Sequence, residues 1–286
     1  MTGEHEAALY LVATPIGNLE DMTYRAVRVL REVDVIAAED TRKARILLDH
    51  YGIKTRTISF FEGNEARRSA ELVRDVAAGK RVAVISEAGL PGISDPGARL
   101  VRAAIEANLR VDVIPGASAV TTAVVLSGFG GEPEGVPGFC WLGFVPRKGR
   151  ARRELLERVA SSDRPAVLFE APGRLGRTLA ELAEVAGSER RAAVCRELTK
   201  RFQEIQRSTL GDLAARYAET PPRGEITLVV DAAASGEQLD GEALQEAVRA
   251  RVEAGDGPRE IADALKGLAP RRRVYQLALE LSGRKK

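Results

Sequence analysis

The sequence predicts an α/β protein, because short runs of β-branched residues alternate with amphipathic helical stretches along most of its 286 residues. Turns that contain glycine or proline separate these runs, and the strand–helix–strand order indicates a mostly parallel sheet covered by helices. Hydrophobic residues make up 44% of the chain, enough to fill more than one core. We predict two α/β domains, at residues 1–127 and 128–234, and a small helical appendage at residues 235–286.

The strands are predicted from apolar runs bounded by glycine, proline, asparagine or aspartate. In the first domain they are residues 9–14, 33–38, 56–60, 81–87 and 110–115. In the second domain they are residues 139–145, 165–171, 191–198 and 225–231. A stretch rich in glycine and proline, residues 127–138, separates the two sets and is predicted to be a linker.

Capping residues predict where several helices begin and end. Asn18 can cap a helix over residues 18–33, and Gly79 can end a helix over residues 64–78. Asp95 followed by Pro96 predicts an N-cap and a first-turn proline. The C-terminal segment is predicted to be helical throughout, with helices at residues 241–253, 258–268 and 271–281.

Composition excludes several classes of function. Lys and Arg number 43 against 41 Asp and Glu, so any nucleic-acid surface must be local. No apolar run approaches the roughly 18 residues that span a bilayer, and the polar N-terminus lacks the apolar stretch of a secretory signal. Two cysteines and two histidines are too few for a disulfide framework or a metal cluster. We therefore expect a soluble cytoplasmic protein with no metal and no membrane contact.

Three glycine-containing turns, at residues 14–18, 86–97 and 114–118, follow predicted strands of the first domain. The carboxyl ends of parallel strands share one edge of the sheet, where glycines let backbone groups approach a ligand closely. One such turn is equally well explained as a tight strand-to-helix connection. Three turns on one edge favour a ligand site.

The turn sequences narrow the class of ligand. The chain lacks the P-loop pattern G-x-x-x-x-G-K-[ST], and the first turn lacks the dinucleotide pattern G-x-G-x-x-G. Glu39 and Asp40 follow the second strand, where a ribose-binding acid of a dinucleotide site would lie, so that alternative stays open. A methyl donor without phosphate needs no basic cradle, and the three turns contain no basic residue.

Five segments of the sequence match a known family. They are Leu9-Tyr-Leu-Val-Ala-Thr-Pro-Ile-Gly-Asn-Leu19, Ala37-Ala-Glu-Asp-Thr-Arg42, Gly92-Ile-Ser-Asp-Pro-Gly97, Pro115-Gly-Ala-Ser118 and Arg196-Glu-Leu-Thr-Lys200. Over nearly the whole chain the sequence resembles the small-subunit ribosomal RNA methyltransferases, a subgroup of the tetrapyrrole (corrin/porphyrin) methylase superfamily. The first two segments together are specific to this subgroup.

The resemblance implies two α/β domains with S-adenosyl-L-methionine in the cleft between them. It also implies a cytoplasmic homodimer that methylates the 2′-oxygen of a cytidine ribose in the decoding region of 16S rRNA, with the 30S subunit as the expected partner. From the family pattern, the residues expected to contact the cofactor are Pro15, Ile16, Gly17, Ser86, Glu87, Ala88, Gly89, Leu90, Ile93, Ser94, Pro115 and Gly116.

The sequence departs from the family pattern in two places. Where the family usually reads Ser-Asp-Ala-Gly-Thr-Pro, this chain has Glu87 and Leu90, which lengthen an acid and remove a hydroxyl. The family's histidine-rich segment contains no histidine here, at residues 60–65. A histidine base from that segment is therefore excluded.

A ribose hydroxyl is a weak nucleophile, so a nearby base or acceptor would assist methyl transfer. The candidates are acids at predicted strand ends, Asp40, Glu170 and Glu197, with Lys200 as a polarising charge. Each is equally open to a structural interpretation as a helix cap, a surface acid or an ion-pair partner. The sequence does not choose among them.

Two basic clusters are candidate RNA contacts, because runs of cations position phosphates without reading sequence. The first cluster consists of Arg147, Lys148, Arg150, Arg152 and Arg153, and the second of Arg271, Arg272 and Arg273 with the basic residues of the C-terminus. Solvated helix faces are the alternative interpretation of both. Trp141 lies in an apolar run and is predicted to be a core residue.

Three other functions compete with RNA methylation. A small-molecule methylase of the corrin or porphyrin type shares the fold, but the basic run and the helical tail argue against it. A non-enzymatic RNA- or ribosome-binding factor stays open because of Glu87 and Leu90. An NAD-dependent oxidoreductase is disfavoured by the missing fingerprint glycines. Titration with S-adenosylmethionine and NAD separates these classes.

Overall fold

The computed structural model describes residues 7–129, 137–233, 241–265, 269 and 271–282. Its first sheet contains Ala8–Val12 (β1), Val35–Ala38 (β2), Thr57–Ser59 (β3), Arg81–Ile85 (β4) and Val111–Ile114 (β5). The strand order is β3-β2-β4-β1-β5, and every neighbouring pair is parallel. The predicted α/β fold with a parallel first sheet is confirmed.

Four helices connect these strands and cover both faces of the sheet, and a fifth helix follows β5. They are Tyr24–Glu32 (α1), Thr41–His50 (α2), Glu65–Ala77 (α3), Ala98–Glu106 (α4) and Ala119–Ser127 (α5). One apolar cluster includes Ala26 and Leu30 of α1, and a second includes Leu72 of α3 and Leu100 of α4. The interior strands β1, β2 and β4 are apolar on both sides because each side meets one of these clusters.

Two predicted helix starts are wrong. Asn18 caps only a short 3-10 turn, Leu19–Asp21, and α1 begins after Thr23, whose hydroxyl accepts the N–H of Ala26. Asp95 is not an N-cap: α4 begins after Gly97, whose φ of 143° is accessible to glycine. The N–H of Gly97 donates to the Glu65 carboxylate at 3.0 Å, which holds the loop away from a helical path.

The second sheet is mixed. It contains Cys140–Phe144 (β6), Ala166–Glu170 (β7), Arg191–Arg196 (β8), Glu204–Thr209 (β9) and Ile226–Val230 (β10), in the order β6-β7-β10-β8-β9. Only β6 and β7 pair in parallel among these strands, since β10 runs antiparallel to both β7 and β8. Strand β9 was missed by the sequence analysis because its residues are mostly polar, as an edge strand permits.

Helices Arg150–Ala160 (α6), Leu175–Ala186 (α7) and Leu210–Arg216 (α8) pack on one face of this sheet. Helix α5 contributes to the other face: Val120 and Val124 share a cluster with Val167, Cys195 and Val229. Trp141 also packs against this cluster and lies 4.4 Å from the ring of Phe169. Helix α5 and Ile16, which follows β1, therefore share an apolar cluster with the second sheet.

The C-terminal segment contains three helices, Gly241–Glu253 (α9), Pro258–Ala264 (α10) and Arg271–Leu281 (α11), around an apolar cluster of their own. The helical appendage is therefore present. The predicted domain boundaries at 127 and 234 stay predictions, since residues 130–136 and 234–240 lie outside the described residues. Within the described residues, no helix is both long and apolar enough to cross a membrane.

Candidate active site

A cavity of about 450 Å³ lies where the two sheets meet. This volume is in the range of small-molecule sites, roughly 300–1,000 Å³. The first sheet and its turns contribute Ile16 and residues 87–90, 93–95 and 118–120. The second sheet and its turns contribute Phe144, Arg174, Leu198 and residues 169–172 and 224–227. Both halves of the chain are needed to close this site.

Sheet topology explains why these residues meet. Strands β4, β1 and β5 are neighbours and parallel, so the three glycine turns lie side by side at one edge, as predicted. The backbone groups of Thr14 and Gly89 exchange two hydrogen bonds, at 2.8 and 3.1 Å, and tie two of the turns together. In the second sheet, β10 is antiparallel to β7 and β8, so its first residues lie beside their last ones.

The charged lining of the cavity is mostly acidic. Four carboxylates line it, while Arg174 is the one basic residue among the described residues that do so. Glu170 is offset by Arg174, 2.6 Å away, whereas Glu87 and Glu225 pair with lysines outside the lining. Among the described residues Asp95 forms no ion pair. The cavity therefore carries negative charge and suits a ligand with positive charge.

Burial raises the pKa of Asp95, and it outweighs a hydrogen bond from Ser86 that lowers this pKa; the nearby charge of Glu87 raises it further. Burial likewise raises the pKa of Glu39, which lies behind the lining and accepts the N–H of Glu87 at 3.4 Å. Desolvated carboxylates that repel one another are stabilised by an incoming cation. Asp95 was missed as a site residue because the Asp-Pro pair is also a typical helix start.

A buried polar network supports the cavity wall at the end of β7. The Glu170 side chain is fully buried; its oxygens accept the N–H of Ala171 at 2.6 Å and the hydroxyl of Thr178 at 2.5 Å. Arg152 lies 3.8 Å from Glu170 and pairs with Glu181 at 2.6 Å. Charges buried in this way are stable only when every partner is in place.

Seven of the twelve residues predicted to contact a cofactor line this cavity. They are Ile16, Glu87, Ala88, Gly89, Leu90, Ile93 and Ser94. The other five, which do not line it, are Pro15, Gly17, Ser86, Pro115 and Gly116.

Three of those five residues have other close neighbours. The Ser86 hydroxyl donates to the carbonyl oxygen of Gly89 at 3.3 Å. A Cβ on Gly17 would collide with the Lys200 side chain, and one on Gly116 would approach Ala13 Cβ to 2.9 Å. These glycines therefore serve close packing rather than the cavity.

The structure gives structural partners to the four predicted catalytic residues. Asp40 is the N-cap of α2, and the N–H of Arg42 is the main reason that its pKa is lowered. Glu170 is committed to the buried network. Glu197 accepts from Lys200 at 2.8 Å, which lowers its pKa. Glu197 and Lys200 therefore form one pair, whereas Asp40 and Glu170 have other partners, and a carboxylate with a lowered pKa is a weaker proton acceptor. A catalytic role for any of the four stays a prediction.

Lys200 joins the two sides of the site. It contacts Gly17 of the first sheet and pairs with Glu225, which lines the cavity, at 3.1 Å. Burial lowers its pKa, but the ion pairs with Glu197 and Glu225 outweigh burial and leave the pKa raised. Lys200 is therefore a permanent positive charge beside the cavity, and its role as a polarising group stays a prediction.

The first basic cluster splits in the structure. Arg147, Lys148, Arg150 and Arg153 are exposed and begin three residues after Phe144, which lines the cavity. The prediction for Arg152 is wrong, because only 3% of this residue is exposed and its guanidinium belongs to the buried network. Helical periodicity already placed it on the face of Leu155, Leu156 and Val159.

The described residues include only part of the second basic cluster. Arg273 is exposed on α11. The backbone of Arg271 and Arg272 belongs to the same helix, and residues 283–286 lie outside the described residues. An RNA-binding role for this cluster stays a prediction.

Comparisons with known proteins agree with the fold and the motifs. The family model for Tetrapyrrole (Corrin/Porphyrin) Methylases matches residues 8–214. A protein of Synechocystis sp. named "Ribosomal RNA small subunit methyltransferase I" is 43% identical over 279 residues, covering 96% of this chain and 98% of that protein. A Thermotoga maritima protein of the same name is 44% identical over 222 residues.

The Thermotoga match covers 97% of that protein but 78% of this chain. About a fifth of this chain therefore has no counterpart there, which is close to the size of the predicted tail, residues 235–286. A protein can thus bear the same name while lacking a segment of this length.

Solved structures share the fold at lower identity. Diphthine synthase superposes with a TM-score of 0.60 at 14% identity, covering 78% of this chain and 89% of that one. Uroporphyrin-III C-methyl transferase from Thermus thermophilus, complexed with S-adenyl homocysteine, gives 0.55 at 19% identity, covering 84% and 99%. On the family model and the two close relatives, the chain belongs to the ribosomal RNA small subunit methyltransferase I family of the tetrapyrrole (corrin/porphyrin) methylases.

Proposed function

We propose that this protein transfers the methyl group of S-adenosylmethionine to the 2′-oxygen of a cytidine ribose in the decoding region of 16S rRNA. The relatives' shared name supports methyl transfer to small-subunit ribosomal RNA. The cytidine, its 2′-oxygen and the decoding region are inferred from the sequence resemblance. A cytoplasmic homodimer and a 30S substrate belong to the same inference.

The acidic cavity is the observation that carries the choice of cofactor. S-adenosylmethionine has a sulfonium and an ammonium against one carboxylate, so it is a net cation, while NAD brings a pyrophosphate. Asp95, which forms no ion pair among the described residues, favours the cation, and the mostly acidic lining opposes the pyrophosphate. Apolar walls at Leu90 and Val120 fit the adenosine. The solved relative complexed with S-adenyl homocysteine is consistent with this choice.

The cofactor supplies an electrophilic methyl group, and this chain positions the cofactor and the acceptor oxygen relative to each other. Holding the acceptor oxygen in line with the methyl group accounts for a large part of the acceleration in such displacements. Each sheet forms one wall of the cavity. A ligand held between the two walls is therefore oriented by both sheets. Lys200 stays protonated and is an electrostatic neighbour of the reacting groups, not a proton acceptor.

The function is tested by methyl transfer from radiolabelled S-adenosylmethionine to purified 30S subunits that lack ribose methylation. Uroporphyrinogen serves as the competing acceptor. Label in 16S RNA, mapped to a cytidine 2′-oxygen, is the expected result. Label in uroporphyrinogen alone, or in neither acceptor despite cofactor binding, would contradict the proposal.

Replacing Asp95 with Asn is expected to weaken S-adenosylmethionine binding by about tenfold, since one unpaired charge near the sulfonium is removed. Binding of S-adenosylhomocysteine, which lacks the sulfonium charge, is expected to fall less. Calorimetric titration with both ligands measures the difference. Asp163→Asn, at an exposed acid outside the cavity, is the matched control. Unchanged S-adenosylmethionine affinity in Asp95→Asn would refute the electrostatic argument.

The same variant is expected to be more stable at neutral pH. The raised pKa of Asp95 means that folding favours its protonated form, so the stability is present at low pH and declines as the pH rises through the raised pKa. Asn keeps the neutral shape and avoids that loss. Thermal unfolding at pH 7 and at pH 4 checks this sign. The increase in melting temperature of Asp95→Asn over wild type is expected to be larger at pH 7.

Replacing Arg147, Lys148, Arg150 and Arg153 with Ala is expected to weaken RNA binding and to flatten its dependence on salt. Each phosphate contact that is lost lowers the slope of log K against log salt by roughly 0.7 to 0.9. Filter binding to 16S RNA between 50 and 200 mM salt, about the range over which such slopes are resolved, measures it. Arg152 is left intact because it belongs to the fold. An unaltered slope would identify the run as a solvated face.

A further inference from the structure

A second groove, of about 550 Å³, lies beside the first cavity. Its lining includes Gly17, Asn18, His50, Thr199, Lys200 and Arg201. Two short stretches of chain form the wall between the two sites: Ile16 and Leu198 line the first cavity, and the next residues along the chain line the groove. The groove therefore opens next to the position at which the first cavity holds its ligand.

The hairpin loop between β8 and β9 forms one side of this groove. Glu197 and Thr199 both have positive φ, 52° and 62°, which costs free energy for residues with a Cβ. The side-chain oxygen of Gln203 accepts the N–H of Thr199 at 2.7 Å and helps to hold the loop in this shape. The Thr199 hydroxyl is buried without a hydrogen-bond partner among the described residues. Backbone strain of this kind is found most often at functional sites.

The tip of the loop presents an aromatic ring and a cation to solvent. Phe202 is 65% exposed, and the Arg201 guanidinium lies 5.5 Å from the centre of its ring. The exposed part of the Phe202 ring makes no packing contact within the described residues and is free to stack on a ligand. An aromatic face beside a cation is the arrangement that stacks an unpaired base while neutralising the adjoining phosphate.

We propose that this groove and the loop tip bind the single-stranded RNA that flanks the acceptor ribose, with Phe202 stacking on a base and Arg201 contacting a phosphate. Lys200 and the side-chain amide of Asn18 then face the ribose and base edges inside the groove. Glu20 also lines the groove and would repel a phosphate. The neighbouring cations are therefore needed to offset its charge when RNA binds. This inference rests on the proposed RNA methylation and adds the place where the strand enters.

The test uses the full chain and two RNA probes, a fluorescein-labelled 12-nucleotide single strand and 30S subunits. Phe202→Ala and Arg201→Ala are each expected to weaken binding of the single strand by at least about fivefold. They are also expected to raise the KM for 30S subunits while leaving S-adenosylmethionine affinity unchanged. Matched controls are Phe61→Ala and Arg99→Ala. Both residues are exposed and neither belongs to the groove lining.

A direct readout of stacking comes from Phe202→Trp. Binding of the unlabelled single strand is expected to quench its added tryptophan fluorescence, with wild type, which has Trp141 alone, as the background. Normal binding of the single strand by Phe202→Ala and Arg201→Ala would overturn the proposal, and so would loss of 30S binding alone, which would indicate a protein contact. Failure of wild type to methylate any RNA would refute the proposed function separately, because strand binding is scored without catalysis.

Discussion

An Ala88→Trp variant is expected to lose S-adenosylmethionine affinity by at least about a hundredfold while keeping its fold. Ala88 lines the first cavity but is itself exposed, and it is not among the residues with positive φ. An indole at this position therefore has room to enter the cavity without displacing the core. Burial of the ligand against the apolar walls is then prevented, and most of its binding free energy is lost. Calorimetric titration measures the affinity.

The control for this prediction is Ala107→Trp. Ala107 is also exposed and lies at the end of α4, outside the cavity lining. Both variants are expected to unfold within a few degrees of wild type, since neither replaces a buried side chain. Full cofactor affinity in Ala88→Trp would place the ligand elsewhere and would remove the basis of the proposed function.

Replacing Glu170 with Ala is expected to lower the free energy of unfolding by about 3–5 kcal/mol, because it removes the buried carboxylate that pairs with Arg174 and lies near Arg152. The Glu170 side chain is fully buried, and Arg152, at 4% side-chain exposure, has no route to water. Thr178 would lose the acceptor of its hydroxyl as well. Urea unfolding followed by circular dichroism gives the value. Glu170→Gln keeps the shape and is expected to lose less.

An exposed ion pair provides the comparison. Glu154 pairs with Arg150 on the surface of α6 at 2.6 Å, with 52% and 85% of the two side chains exposed. Glu154→Ala is therefore expected to change stability by less than about 0.5 kcal/mol. A loss below about 1 kcal/mol for Glu170→Ala would mean that the network contributes nothing beyond a surface pair. In that case the wall of the cavity would not depend on it.

The burial of Arg152 was not predicted from the sequence. A run of cations without an intervening acid predicts an exposed nucleic-acid contact, and the exposure of its neighbours agrees with this pattern. The partners of Arg152 are Glu170 and Glu181, 18 and 29 residues further along the chain. Composition describes only the neighbours in sequence, so it did not distinguish the buried arginine from the exposed ones. Helical periodicity was the one local signal that did.

Asp95 and Phe202 show the opposite error. Their local sequence suggests no functional role, yet the fold places both of them at a candidate site. Asp95 has the sequence context of a helix cap, yet Gly97 starts the helix and leaves the carboxylate in the cavity lining. Phe202 is an apolar residue in a polar stretch, and only the β8–β9 hairpin carries it to an exposed tip beside the groove. Strand β9 itself was not predicted, so its loop was not predicted either.

By itself, the sequence determined the α/β class, the parallel first sheet, the three adjacent glycine turns and the family, because these depend on periodicity, turn residues and short motifs. Tertiary structure alone decided which turn residues line the cavity, which acids keep a free charge there, and which half of the wall comes from the second sheet. Those properties depend on pairing between strands that are distant in sequence. Burial and electrostatic environment arise only after that pairing has brought the side chains together.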